Sequence, residues 1–240
     1  MMHQAIRDLK VKIFADGADL KGMVEMASKD YIQGLTTNPT LMKKAGITDY
    51  KGFALEVLNY IPSKPISFEV FSDELDEMKR QGLEIAEWGA NVYVKIPITN
   101  TKGISTAPVI KFLVDHQVKV NVTALMTLSQ VEKVSRVLSP EIASYISIFA
   151  GRIADTGRDP ISIMKQSINS VGQLGLCEVI WASPRELLNV FQAEEIKCHI
   201  ITATNDILRK LDLVGHDLET YSLETVQMFR NDAVAAGFNL

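Results

Sequence analysis

The chain predicts as a single α/β domain over residues 1–240, a closed (β/α)8 barrel with an additional C-terminal helix. Three observations lead there. Short apolar or β-branched runs recur eight times in 240 residues, with starts spaced as in successive strand–helix units. Stretches of helical spacing lie between them. No Pro/Gly/Ser-rich linker or low-complexity tract divides the chain. A doubly wound open sheet meets the same alternation but leaves two edge strands uncovered, whereas a barrel has no edge.

In chain order the strand candidates are VKIFAD (11–16), IQGLTTN (32–38), PISFEV (65–70), NVYVKIPI (91–98), VKVNVTAL (118–125), YISIFAG (145–151), CEVIWAS (177–183) and CHIITAT (198–204). Helical spacing marks 73–89, 103–117, 159–175 and 183–195, several opening on Asp or Ser-Pro and closing on Gly or a charge. These units make a TIM barrel. A further helix is expected over 222–238, with Leu223, Val226, Met228, Phe229, Val234 and Phe238 as its apolar members. It is not needed to close the barrel, so it packs outside it or on a neighbouring subunit.

Composition excludes several classes of function. Hydrophobic residues make up 47%, ample for a core, and the formal charge of −4 gives no global attraction to nucleic acid or an anionic membrane. An anion must then be held by a few placed arginines. Cys177 and Cys198 both sit in apolar runs and read as buried free thiols in a reducing compartment. The opening MMHQAIRDLK lacks an apolar h-region and no apolar run reaches membrane-spanning length, so a soluble cytoplasmic protein is expected. His3, His116, His199 and His216 show no metal-ligand spacing, and neither a Walker loop nor a G-x-G-x-x-G run occurs. No metal and no cofactor are expected.

Barrel enzymes carry their chemistry at the C-terminal ends of the strands. Those ends supply Asp16, Asn38, Glu69, Lys95, Asn121 with Thr123, Ser147 with Arg152, and Ser183 with Arg185. Side chains alternate along a strand. Val92, Val94 and Ile96 therefore share one face and Tyr93 and Lys95 the other; Asn121 and Thr123, Ser147 and Phe149, and Ser67 and Glu69 follow the same parity. Lys95 could guard a sheet edge in an open sheet. In a barrel it points into the lumen beside acids and amides. A desolvated lysine amine favours its neutral form and can attack a ketone or aldehyde to give a Schiff base, with Asp16 and Glu69 as proton shuttles. The residues alone leave a second reading open, in which the three form a buried ion-pair cluster. Either arginine taken singly reads more often as a solvated surface charge than as a ligand, while Ser147 also reads as lumen filling and Asn38-Pro39 as a turn.

The motifs FADGAD, GLTTNPTLM, FEV, VYVKIPIT, NVTALMTLSQ, SIFAGRIADTG, ASPRE and TATNDILRKL, spread over nearly the whole chain, resemble the transaldolases, and the length resembles their short-chain members, which include fructose-6-phosphate aldolases. The resemblance implies a Schiff-base transferase of the pentose phosphate pathway, moving a dihydroxyacetone unit between sugar phosphates without a cofactor. Lys95 matches the Schiff-base lysine, Asp16 the carboxylate that takes the C4 hydroxyl proton, and Glu69 with Thr123 the acid and the threonine that work through a water. Asn38 and Asn121 match amides that hold the retained unit. Arg152 and Arg185, assisted by Ser183, match phosphate ligands, and Ser147 is placed to contact a substrate hydroxyl. Gly17, Ile148 and Pro184 depart from the family pattern, which bears on acceptor preference and phosphate geometry. Two other functions are weighed: an aldolase that releases free dihydroxyacetone, and a non-catalytic sugar-phosphate-binding barrel. Glu69 and Phe149, where such aldolases carry Gln and Tyr, favour transfer. Short-chain relatives assemble through the C-terminal region, which implies a homo-oligomer.

Overall fold

The computed structural model describes residues 3–238. Met1, Met2, Asn239 and Leu240, counted in the expected 1–240 domain, lie outside the described residues. After a short α1 (Gln4–Arg7), strands and helices alternate as β1 (Lys12–Asp16), α2 (Leu20–Ala27), β2 (Ile32–Thr36), α3 (Pro39–Lys44), α4 (Tyr50–Tyr60), β3 (Ile66–Glu69), α5 (Leu75–Ala86), β4 (Val92–Pro97) and α6 (Ala107–Asp115). They continue as β5 (Val120–Leu125), α7 (Leu128–Ser135), β6 (Ser144–Ile148), α8 (Ala150–Ala154), α9 (Ile161–Val171), β7 (Cys177–Trp181), α10 (Leu188–Glu195), β8 (Ile200–Thr204), α11 (Asn205–Arg209), a 3-10 turn and α12 (Leu218–Ala235). The eight strands pair in parallel in sequence order and β8 closes on β1, so the sheet has no edge.

Two cores follow from the alternation of side chains. Val92, Val94 and Ile96 face outward into the large layer between barrel and helices, together with Ile146, Ile148, Val120 and Val122. The inward face builds a smaller lumen core from Phe14, Tyr93, Tyr145, Ile180 and Ile200. Tyr93 stacks on Tyr145 at 4.1 Å, and Phe14 meets Tyr145 edge-on at 5.8 Å. Gly34 is required opposite Phe14, because a Cβ there would stand 2.5 Å from the phenyl ring. Lys12 and Glu178 pair at 2.7 Å at the N-terminal ends of the strands.

Several boundaries differ from the sequence expectation, three of them as follows. Strand 32–38 ends at Thr36, because Asn38 caps α3 by accepting the Leu41 N–H. The helix expected to open at Ser183-Pro184 opens at Leu188 instead. Ser183 lies in the left-handed region at φ 60 and starts a loop rather than a helical turn. The C-terminal helix starts at Leu218, with the Asp217 carboxylate accepting the Thr220 N–H, so the expected 222–238 was set four residues late and ran past its end. No residue of α12 is buried; Leu218, Phe229 and Phe238 beside its end are 80%, 63% and 76% exposed.

Candidate active site

The C-terminal strand ends surround a cavity of about 560 Å³. Asp16, Asn38, Glu69, Lys95, Thr123, Ser147, Arg152, Ser183 and Arg185 line it. Lys95 sits at its centre because its Cα pairs in register with Glu69 on one side and Asn121 on the other. Its side chain is 8% exposed; Nζ donates to the Thr37 carbonyl at 2.6 Å and lies 3.8 Å from Glu69 Oε2. One neutral acceptor and one carboxylate thus meet the amine, and its remaining reach is into the cavity.

Asp16 accepts the Thr36 hydroxyl at 2.8 Å and the Asn38 amide at 3.0 Å. Thr36 Oγ1 also pairs with Thr202 Oγ1. With Asp16 ionised, the single Thr36 hydrogen goes to it, so Thr202 donates and the two hydroxyls form a relay toward the carboxylate. Burial pushes the Asp16 carboxyl above its usual range, against the Lys95 charge and these hydrogen bonds. Burial also raises Glu69; the Lys95 charge opposes the shift and the Asp16 charge adds to it. Two carboxyls with raised proton affinity therefore flank one amine. Asn38 has a double role, with Oδ1 capping α3 and Nδ2 holding Asp16.

Thr123 is buried and its hydroxyl finds no hydrogen-bond partner among the described residues. A buried unpaired hydroxyl facing a polar cavity is a group waiting for a ligand or water. The strand is irregular just beyond it: Ala124 has φ 63 and the β5–β6 register shifts between Val122 and Leu125. Asn121 does not line the cavity. It is fully buried, donates from Nδ2 to Ser67 Oγ at 2.9 Å and accepts the Ser147 hydroxyl at 2.7 Å.

The arginines meet at one rim. A Cβ at Gly151 would stand 1.6 Å from the Ser183 carbonyl oxygen, so α8 presses directly on the loop after β7. That contact brings Arg152, 5.9 Å over the Phe149 ring, to the side of Arg185. The two are not equivalent. Arg185 commits Nε (2.9 Å) and Nη2 to the Asp155 carboxylate, two of its five donors. These hydrogen bonds hold the Asp155 carboxyl below its usual range, with the charges of Arg185 and Arg152 adding to the effect. Arg152 has no carboxylate in ion-pair contact among the described residues.

Thr36, Thr202 and Asp155 at the site, and Tyr50 behind Glu69, were not among the residues expected from the sequence. Parity places Gly34, Thr36 and Asn38 on one face of their strand and Ile200, Thr202 and Thr204 on one face of theirs, so Thr36 and Thr202 could have been found; Asp155 and Tyr50 carry no local signal. At the departures, Gly17 has room for a side chain, since a Cβ would meet Met23 Cγ at 3.5 Å, while Ile148 is fully buried opposite Trp181. Among the described residues no three His, Cys, Asp or Glu side chains gather as metal ligands. Burial pushes both cysteine thiols up to about 12.

These features define a class: a (β/α)8 barrel with its polar site at the C-terminal mouth, the end at which barrel enzymes hold substrate. The chain belongs to the Transaldolase/Fructose-6-phosphate aldolase family, which it matches over residues 13–240. It is 30% identical over 216 residues to a Herpetosiphon aurantiacus protein named "Probable transaldolase", covering 90% of this chain and 92% of that one. A Thermoanaerobacter sp. protein of the same name is 30% identical over 231 residues, covering 96% and 100%. Among solved structures, an HpcH/Hpal aldolase/citrate lyase family protein from Burkholderia cenocepacia superposes with a TM-score of 0.58 at 14% identity, over 95% of this chain and 98% of the other. The 2,3-dimethylmalate lyase structure gives 0.55 at 12%, over 98% and 87%. At such identities these two show the fold alone.

Proposed function

We propose that the chain is a Schiff-base transaldolase that moves a dihydroxyacetone unit from a ketose phosphate, fructose 6-phosphate or sedoheptulose 7-phosphate, to an aldose phosphate. The observation that carries this reading is the placement of a buried Lys95 Nζ within 3.8 Å of a carboxyl whose proton affinity is raised, with a second such carboxyl in the same cavity. A lysine kept only for stability gains little from two carboxyls held in a polar cavity.

The steps balance with the chain's own groups. Lys95, its ammonium proton given up to Glu69, adds as the free amine to the C2 carbonyl, and the carbinolamine loses water as Glu69, through a water held at the Thr123 hydroxyl, supplies that proton. The ionised Asp16 takes the C4 hydroxyl proton while the C3–C4 electron pair moves toward the iminium. An aldose phosphate leaves and an enamine stays on Lys95. Attack of its C3 on an acceptor aldehyde, with Asp16 returning the proton, and hydrolysis of the new imine complete the transfer. Asn38 and Ser147 hold hydroxyls of the retained unit; Arg152, with Ser183 and the uncommitted donors of Arg185, faces the phosphate.

A group at the mouth supports transfer rather than release. Phe149 lines the cavity but carries no proton to quench the enamine. The test is a donor assay with and without acceptor: ketose phosphate alone should release dihydroxyacetone far more slowly than it transfers it to an aldose phosphate. Equal rates would make the chain an aldolase instead.

The reading extends to assembly and location. A long helix without a buried residue, carrying Leu223, Val226, Met228 and Phe229 exposed, is suited to a second copy of the chain, so we place α12 in a homo-oligomer interface. Unchanged sedimentation mass on removing α12 would refute that. No helix among the described residues is long and apolar enough to cross a membrane. Two buried free thiols suit the cytoplasm.

A further inference from the structure

We infer that Tyr50 is a positioning residue for Glu69: its hydroxyl stands in for the strand partner that the Glu69 backbone lacks, and so sets where the Glu69 carboxylate meets Lys95. The catalytic part of this inference rests on the proton-transfer role proposed for Glu69.

The need for such a group comes from how β2 ends. On the β4 side the ladder continues to the end of β3, with the Val70 N–H donating to the Lys95 carbonyl at 3.1 Å. On the β2 side pairing covers only Leu35 with Ile66 and Thr36 with Ser67. The Ser67 carbonyl is still met, by the Thr37 N–H at 3.3 Å and the Thr37 hydroxyl at 2.8 Å. Two residues on, the peptide groups of Glu69 face the same side. By then the chain has left the sheet, because Asn38 is already the cap of α3. An inner-strand backbone N–H and C=O without partners would leave this end of β3 free to shift.

Tyr50 fills both positions from the first turn of α4. Its hydroxyl accepts the Glu69 N–H at 2.7 Å and donates to the Glu69 carbonyl at 3.1 Å. The ring is held edge-on by Phe71 at 4.4 Å, Trp88 at 5.5 Å and Phe68 at 6.2 Å. Burial raises the phenol's proton affinity, so the hydroxyl keeps its donor hydrogen wherever the enzyme works. Tyr50 does not line the cavity around Lys95. It acts through Glu69.

Tyr50→Phe keeps the ring and deletes only the hydroxyl. Two readouts judge it. Amide hydrogen exchange should speed up about tenfold or more at Glu69, on the order of the loss of one hydrogen bond, with Phe68 and Val94 unchanged. Unaltered exchange at Glu69 overturns the clamp. In steady-state kinetics kcat should fall by roughly tenfold with KM nearly constant, the signature of a misplaced group. Against a Glu69→Gln background the same substitution should cost nothing more. An equal fractional loss in both backgrounds, or full activity of Tyr50→Phe, overturns the positioning role. Full activity of Glu69→Gln alone would instead remove Glu69 from the reaction; it overturns the catalytic half, while the exchange result still judges the clamp.

Discussion

The lower and upper rings of the lumen use the same strands and differ in everything else. Phe14, Tyr93, Tyr145 and Ile200 pack below; Asp16, Lys95, Ser147 and Thr202 stand two residues further along β1, β4, β6 and β8. Two residues of strand separate the rings by about 6.6 Å. The lower ring is apolar or aromatic and closed by Gly34. The upper ring, with Glu69 beside Lys95 at the end of β3, brings an amine and two carboxyls together at the cost of desolvating them, and burial accordingly raises the carboxyls of Asp16 and Glu69. Packing and the polar site are thus separated by one step of the pleat.

The comparison breaks most sharply by exchanging the rings' failures. Lys95→Ala should lower turnover by more than about 10⁴-fold, the scale on which removing a covalent nucleophile acts, yet melt near the parent temperature because the lower ring is untouched. Phe14→Ala should do the reverse in a denaturant titration, losing about 3–5 kcal/mol of stability, while any folded fraction still reacts. Asp16→Asn comes next, with kcat reduced about 10²–10⁴-fold. Its effect on stability has the opposite sign. A carboxyl raised in the folded state binds more protons there than in the unfolded chain, so its contribution falls as pH rises from the ordinary 3.8 through the folded value. Calorimetry at neutral pH should therefore find Asp16→Asn melting above the parent.

The rim sharpens the comparison at smaller cost. Arg152→Ala should lower kcat/KM for a phosphorylated ketose by about ten- to a hundredfold, the worth of one charge-assisted hydrogen bond, and barely affect dihydroxyacetone as donor. Arg185→Ala should lose less, since Asp155 already engages two of its donors. Equal losses on phosphorylated and unphosphorylated donors would assign both arginines to the rim's architecture. The smallest effect is expected at Thr36→Val, which removes a hydrogen bond that favours the ionised Asp16. Asp16 would then ionise at higher pH, and the acid limb of kcat/KM should move upward with little change at its plateau.

Much of this was legible in the sequence because alternation along a strand is a local property. Lys95 and Glu69 could be placed in the lumen from VYVKIPI and PISFEV alone, and the closed barrel makes them neighbours in register. What stayed hidden depends on chain separated by long intervals. Arg185 meets Asp155 across 30 positions and Thr36 meets Thr202 across 166. Asn38-Pro39 reads as a turn yet begins a short helix, because the side chain that caps it also holds Asp16. Asn121 has the parity of a substrate ligand, but Ser67 and Ser147 occupy both ends of its amide.

The central claim is that Lys95 forms the covalent intermediate. Incubation with fructose 6-phosphate and borohydride, followed by peptide mass spectrometry, tests it directly. A reduced dihydroxyacetone adduct is expected on the peptide containing Lys95, absent without sugar or without borohydride and absent in Lys95→Ala. An active enzyme that yields no added mass on that peptide, or carries the adduct on another lysine, would contradict it.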